Sequence, residues 1–103
     1  MQFVVIAKDQ PDALERRMAA REEHLAKVQG AADRGEEIVG AALQDENGKM
    51  CGSMLLFDVE SRERLDELIA NDPYTKQQVW GEITVMPCKV APVFAHLLKV
   101  KGS

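Results

Sequence analysis

Residues 50–59 read Met-Cys-Gly-Ser-Met-Leu-Leu-Phe-Asp-Val, with the unbroken apolar run Met54-Leu55-Leu56-Phe57 at their centre. Successive side chains of a strand point to opposite faces, so a strand with one wet face alternates apolar and polar residues. This one does not, and neither does Phe3-Val4-Val5-Ile6-Ala7 within residues 2–8. A sheet built on these two strands has two apolar faces and needs cover on both.

The neighbouring segments supply the rest of the sheet and one layer of cover. Residues 36–43 read as a strand, joined to residues 50–59 through Asp45-Glu46-Asn47-Gly48, where Asn-Gly is a strong hairpin signal. Residues 82–90 form a fourth strand, punctuated by Pro87. Between the first two strands lies a long helix. Asp12 and Glu15 have the spacing of a capping box, and Gly35 ends the helix. Leu14, Met18, Arg21, Leu25, Val28 and Ala32 recur at steps of three and four and are read as its inner face. Ser61 caps a second helix with Leu65, Leu68 and Ile69 on one side, and Asn71-Asp72-Pro73 interrupts it. The order β-α-β-β-α-β predicts an α+β, ferredoxin-like domain with a four-stranded antiparallel sheet and both helices on one face.

With 103 residues, one domain is expected, set at residues 1–91, followed by a tail over 92–103. The helices leave the second sheet face bare, a patch larger than monomers usually tolerate. A homodimer covering it by two-fold pairing is therefore expected. The tail, with Val93-Phe94 and Leu97-Leu98, is either a contact of that dimer or the cover itself.

The bulk numbers exclude several function classes. The net charge of −4, with basic and acidic residues interleaved, argues against nucleic acid. No run approaches the ~20 apolar residues of a membrane span, and no basic leader precedes Phe3, so a cytoplasmic protein is expected. Cys51 and Cys88 form no CxxC pair and are read as small buried thiols, and no metal site is expected. Gly-rich phosphate loops and nucleophile motifs are lacking, so neither a cofactor nor covalent catalysis is expected. Chemistry that moves only protons remains.

His24 and His96 are the two histidines. His24 lies about 100° round the helix from Leu25, at the boundary of the inner face, where a histidine is either a pocket residue or an idle surface one. His96 is read as surface. Asp72 before Pro73 is by itself an N-cap. Arg17 and Arg21 share the side of His24 and are read as solvated.

Taken together, Arg21-Glu22-Glu23-His24-Leu25, Asn71-Asp72-Pro73-Tyr74 and the β-α-β-β-α-β order resemble the YCII-related family over about residues 3–90. That resemblance implies pairing into a dimeric α/β barrel. It also implies a pocket in which His24 and Asp72 form a catalytic acid–base pair. Beside that pair, Arg17 or Arg21 is a candidate to hold a phenolate or a departing anion, and Tyr74 is a further substrate-binding candidate. The family often has Ala-Gly-Pro in the second strand, where this chain has Gly40-Ala41-Ala42. The family is similar in architecture to muconolactone isomerases, and one branch removes HCl from chlorinated hydroxyquinols. The expected function is a lyase of aromatic degradation, a cofactor-free dehydrochlorinase on a small oxygenated ring. The alternatives are an isomerase or a non-catalytic binding module of the same fold.

Overall fold

The computed structural model describes residues 1–99. Four strands, β1 (Gln2–Asp9), β2 (Glu37–Gln44), β3 (Met50–Asp58) and β4 (Trp80–Cys88), form one sheet in the order β2-β3-β1-β4. Every neighbouring pair is antiparallel. The two strands with apolar runs are the two central ones. A long helix, α1 (Leu14–Asp33), follows β1; α2 (Arg62–Asn71) and the single turn α3 (Pro73–Lys76) connect β3 to β4. The fold is the expected α+β, ferredoxin-like one. β4 begins two residues earlier than expected because Trp80 pairs with Asp9 across an irregularity in β1.

The helices cover one face. Phe3, Val5, Ala7, Leu55 and Phe57 point into it and are buried with Ala20, Leu65, Tyr74, Val79 and Trp80. The opposite face carries Val4, Ile6, Met54 and Leu56, all half-buried, and the exposed Val39 and Met86. After β4 the chain turns into a short 3-10 segment, Pro92–Leu97. Phe94 and Leu97 lie along the bare face and help to line a shallow hollow of about 400 Å³ with Val4, Val39, Met54 and Leu56. Within the described residues the segment covers the face in part, leaving Phe94 52% exposed and Val39 and Met86 exposed beside it. Residues 100–103 of the expected tail lie outside the described residues.

The β2–β3 turn is as expected. Gly48 takes a φ of +78°, open to glycine at little cost, and the Asp45 carboxylate accepts the Asn47 and Lys49 amides at 2.8 and 3.0 Å. Ser61 caps α2, accepting the Arg64 amide at 3.1 Å.

Three expectations fail. Asp12 does not cap α1. It sits in the left-handed region with φ +58°, the helix starts from Ala13 with no side-chain cap, and Ala13 is buried at the entry. The inner face of α1 is also rotated from the apolar stripe. Arg17, Ala20, His24 and Ala31 are buried, while Leu14, Met18 and Leu25 are exposed. The physical reason is pairing: each polar side chain on the inner line finds a buried partner, and the alanines allow close approach to the sheet. Finally, Cys51 is exposed at the start of β3 and Cys88 half-buried, so neither is a core thiol.

Candidate active site

His24 projects from the middle of α1 toward the junction of α2 and α3. Asp72 ends α2 and starts α3 at once. Its extended backbone (ψ 135°) and Pro73 at the first helical position make it an N-cap, with the Tyr74 amide donating to Oδ1 at 2.8 Å. The same carboxylate meets His24 Nδ1, at 2.8 Å to Oδ1 and 3.0 Å to Oδ2. The cap and the contact with His24 are therefore one geometry: the cap holds the carboxylate against the imidazole Nδ1. Both residues are buried, His24 to 7% exposure.

The imidazole is clamped by aromatic rings. Tyr74 stacks on it with centroids 3.8 Å apart and planes 9° from parallel, and Trp80 meets it edge-on at 5.9 Å. Asp72 engages Nδ1, so Nε2 is the ring nitrogen that faces away from it.

Arg17 is not solvated. It is 2% exposed, donates from Nη1 to Asp9 at 3.1 Å, and from Nη2 to the Gly52 carbonyl at 2.8 Å and the Ser53 hydroxyl at 2.9 Å. Its guanidinium lies over the Tyr74 ring at 4.6 Å, and its Nε has no hydrogen-bond partner. A second donor, Trp80 Nε1, reaches Ser53 at 3.2 Å. Burial raises the Asp9 carboxyl above its usual range against the opposing pull of Arg17. The Tyr74 hydroxyl is raised in the same way, by burial, with Arg17 and Arg21 opposing. Arg21 is exposed, as expected.

These groups surround a hollow of about 220 Å³, lined by Arg17, Arg21, His24, Ser53 and Tyr74 together with Glu37. All five residues anticipated for the site lie in or beside it, Asp72 through its bond to His24. His96 is exposed on the tail and takes no part. Asp9, Ser53, Trp80 and Glu37 were missed. One signal was available for the polar line: Ala13, Arg17, Ala20, His24 and Ala31 also repeat at helical spacing, with residues small enough to meet a sheet. Among the described residues no group of three or more His, Cys, Asp or Glu is placed to hold a metal. None of the described helices is long and apolar enough to cross a membrane.

The model of the YCII-related domain matches residues 1–89. The chain belongs to the YCII-related family. Among curated relatives of this YCII-related chain, an uncharacterized protein of Haemophilus influenzae and the protein YciI of Escherichia coli are each 30% identical over 95 residues, covering 86% of this chain and 97% of the relative. Among solved structures, 5-chloro-2-hydroxyhydroquinone dehydrochlorinase from Burkholderia phenoliruptrix, in complex with 2,5-dihydroxybenzoquinone, superposes with a TM-score of 0.78. It is 26% identical, covering 86% of this chain and 94% of that one. A conserved protein from Methanosarcina mazei, at 15% identity and TM-score 0.57, covers 86% of this chain and 94% of its own and shares the fold.

Proposed function

We propose that this YCII-related chain is a cofactor-free acid–base enzyme whose working groups are His24 and Asp72, and that its reaction is loss of HCl from a chlorinated hydroxyquinol. The observation that carries the reading is the buried contact of 2.8 Å between His24 Nδ1 and Asp72. Asp72 accepts the Nδ1 proton, which fixes the tautomer, leaves the Nε2 lone pair free to take a proton, and stabilises the imidazolium that results. The likeness to a dehydrochlorinase of chlorinated hydroxyhydroquinone supports the choice of substrate.

The chemistry is a redistribution of protons and electrons within the ring. Two phenolic O–H bonds break, one C–H bond forms at the carbon that bears chlorine, and chloride leaves with the C–Cl electron pair. The product is a hydroxyquinone, and one proton goes to solvent. A base near the hydroxyls is required, and His24 fills that role. Arg21 at the rim supplies positive charge for a phenolate, and Arg17, already engaged by Asp9, has Nε uncommitted.

We also propose that the bare sheet face pairs with a second copy, giving a dimeric α/β barrel in which Phe94 and Leu97 border the contact. Half-buried Val4, Ile6, Met54 and Leu56 with exposed Val39 and Met86 make this face apolar across all four strands.

The test of the activity is anaerobic incubation with 5-chloro-2-hydroxyhydroquinone, following chloride with an ion electrode and quinone by absorbance. Equal amounts of chloride and quinone, formed in proportion to enzyme, are expected. Saturable binding of 2,5-dihydroxybenzoquinone with no chloride release would replace the enzyme with a binding module.

A further inference from the structure

One buried acid of the hollow has no role in the pair. Glu37 is the first residue of β2 and is 7% exposed, and its Oε2 has no hydrogen-bond partner. A buried polar atom left unsatisfied destabilises a fold, so its retention calls for a reason.

Its position is set by an irregularity in the sheet. Glu37 pairs with Phe57 and Val39 with Leu56, so Ile38 is an extra residue in β2. Without that bulge Glu37 and Val39 would share a face, because side chains two apart on a strand point the same way. With it, Val39 stays on the bare apolar face and Glu37 turns under the helices. There it lies over Gly40, where a methyl group would come within 3.0 Å of Oε2. A glycine thus leaves room for the carboxyl. Glu37 lines the hollow of His24 and also, with Asp72, the neighbouring hollow of about 510 Å³ between α1 and α2, standing between the two.

We infer that Glu37 is the proton donor of this site, giving its carboxyl proton to the ring carbon that carries the leaving group while His24 takes a proton from a ring hydroxyl. This inference rests on the acid–base reading above and assigns the half of the reaction that His24 and Asp72 leave open.

In the first step His24 Nε2 takes a phenolic proton. The freed O–H pair becomes a C=O bond, and the displaced ring pair forms a C–H bond with the Glu37 proton at the chlorine-bearing carbon. Glu37 is then a carboxylate. In the second step another hydroxyl gives its proton back to Glu37. Its electrons form the second C=O and, through the ring, expel chloride with the C–Cl pair. His24 releases its proton to solvent, and both groups are restored.

The surroundings favour the acid form. Burial, and secondly the negative charge of Asp72, hold the Glu37 carboxyl up at about 7. The cations lining its two hollows are Arg17 and Arg21 from α1 on one side, and Lys27 from α1, Arg34 just after it and Arg64 from α2 on the other. Of these, Arg34 and Arg64 are bound to Glu36, and Arg17 to Asp9. A donor titrating close to the working pH is well matched to proton transfer.

The experiment compares wild type, Glu37→Gln and Glu37→Leu in chloride release from 5-chloro-2-hydroxyhydroquinone as a function of pH. Infrared difference spectra on either side of neutrality accompany it. Wild-type kcat is expected to fall as pH rises through about 7, where Glu37 gives up its proton. Glu37→Gln is expected to lower kcat on the order of 100-fold with KM little changed, and to abolish that alkaline limb. The carbonyl stretch of a protonated carboxyl should be present in wild type and missing from both variants. Glu37→Leu removes the unpaired oxygen, so it should melt no lower than wild type while showing the same loss of kcat. Variants that turn over at the wild-type rate with the wild-type pH profile would overturn the inference and leave the His24–Asp72 reading standing. Failure of wild type itself to release chloride would overturn the dehydrochlorination reading instead. In that case the lack of a Glu37-dependent carboxyl stretch would independently overturn the assignment of Glu37 as a neutral acid.

Discussion

The two faces of the sheet are built on opposite plans. The covered face, where a core should be driest, holds Arg17, His24, Glu37, Ser53 and Asp72. The bare face, which meets solvent in the single chain, is apolar from Val39 on β2 to Met86 on β4. Burying charge is unfavourable unless it is paired, and leaving a large apolar patch wet is unfavourable too. Both departures fall in one small domain, and each has its own explanation. On the proposal above, the polar interior is the site and the apolar exterior the contact surface. In this YCII-related chain a single layer of strands separates the buried polar cluster from the apolar face.

The contrast can be broken from either side. The largest expected effect on stability is at Asp9. Replacing it with alanine leaves the buried Arg17 without its counter-ion, a change that typically costs roughly 3–5 kcal/mol. Denaturant unfolding of Asp9→Ala measures this, and a loss under about 0.5 kcal/mol would mean that Arg17 does not need the pair. A smaller effect is expected on the other face. Leu56→Lys puts a charge in the middle of the apolar patch and should weaken self-association at least about tenfold, or ~1.4 kcal/mol, by sedimentation at graded concentrations. The site lies across the sheet, so its thermal transition as an isolated chain should persist. An unchanged dimer would place association elsewhere.

The smallest effect sharpens the comparison at the edge of the covered face. Glu36 binds Arg64 through bonds of 2.7 and 2.9 Å and Arg34 at 2.7 Å. The hydrogen bond from Arg64 above all, against the opposing pull of burial, lowers its carboxyl to about 2. A carboxyl depressed in the folded state contributes stability that is fully present above its unfolded value and lost as pH falls toward the folded one. Arg64→Gln should therefore cost ~1 kcal/mol at neutral pH, with the difference from wild type shrinking below about pH 4 and nearly gone at pH 2. A difference that stays constant with pH would assign Arg64 a packing role alone.

Much of the fold was legible because its signals are local. The apolar runs of β1 and β3, the Asn47-Gly48 turn, the Ser61 cap and Asp72-Pro73 each act within a few residues. His24 and Asp72 were legible as a pair through resemblance, since 48 residues separate them and no spacing rule joins them. The phase of α1 was not legible from hydrophobic periodicity, which puts Leu14, Met18 and Leu25 inside and leaves Arg17 in solvent. Arg17 reverses this because Asp9 and Ser53 wait for it on two different strands. Glu37 was hidden for another reason: its inward direction depends on the bulge at Ile38, and Glu-Glu-Ile-Val carries no local sign of one. The polar interior was thus the least readable part of the chain, because its partners are distant in sequence and its exceptions are geometric.

The most direct test of the account is chloride release by His24→Ala and Asp72→Asn beside wild type, with circular dichroism confirming that both variants fold. Loss of positioned acid–base catalysis predicts a fall in kcat of about 10²- to 10⁴-fold for His24→Ala. A large fall is also expected for Asp72→Asn, which keeps a cap on α3 but not the carboxylate that His24 Nδ1 requires. Wild-type turnover in both folded variants would contradict the account and leave the buried pair a structural feature.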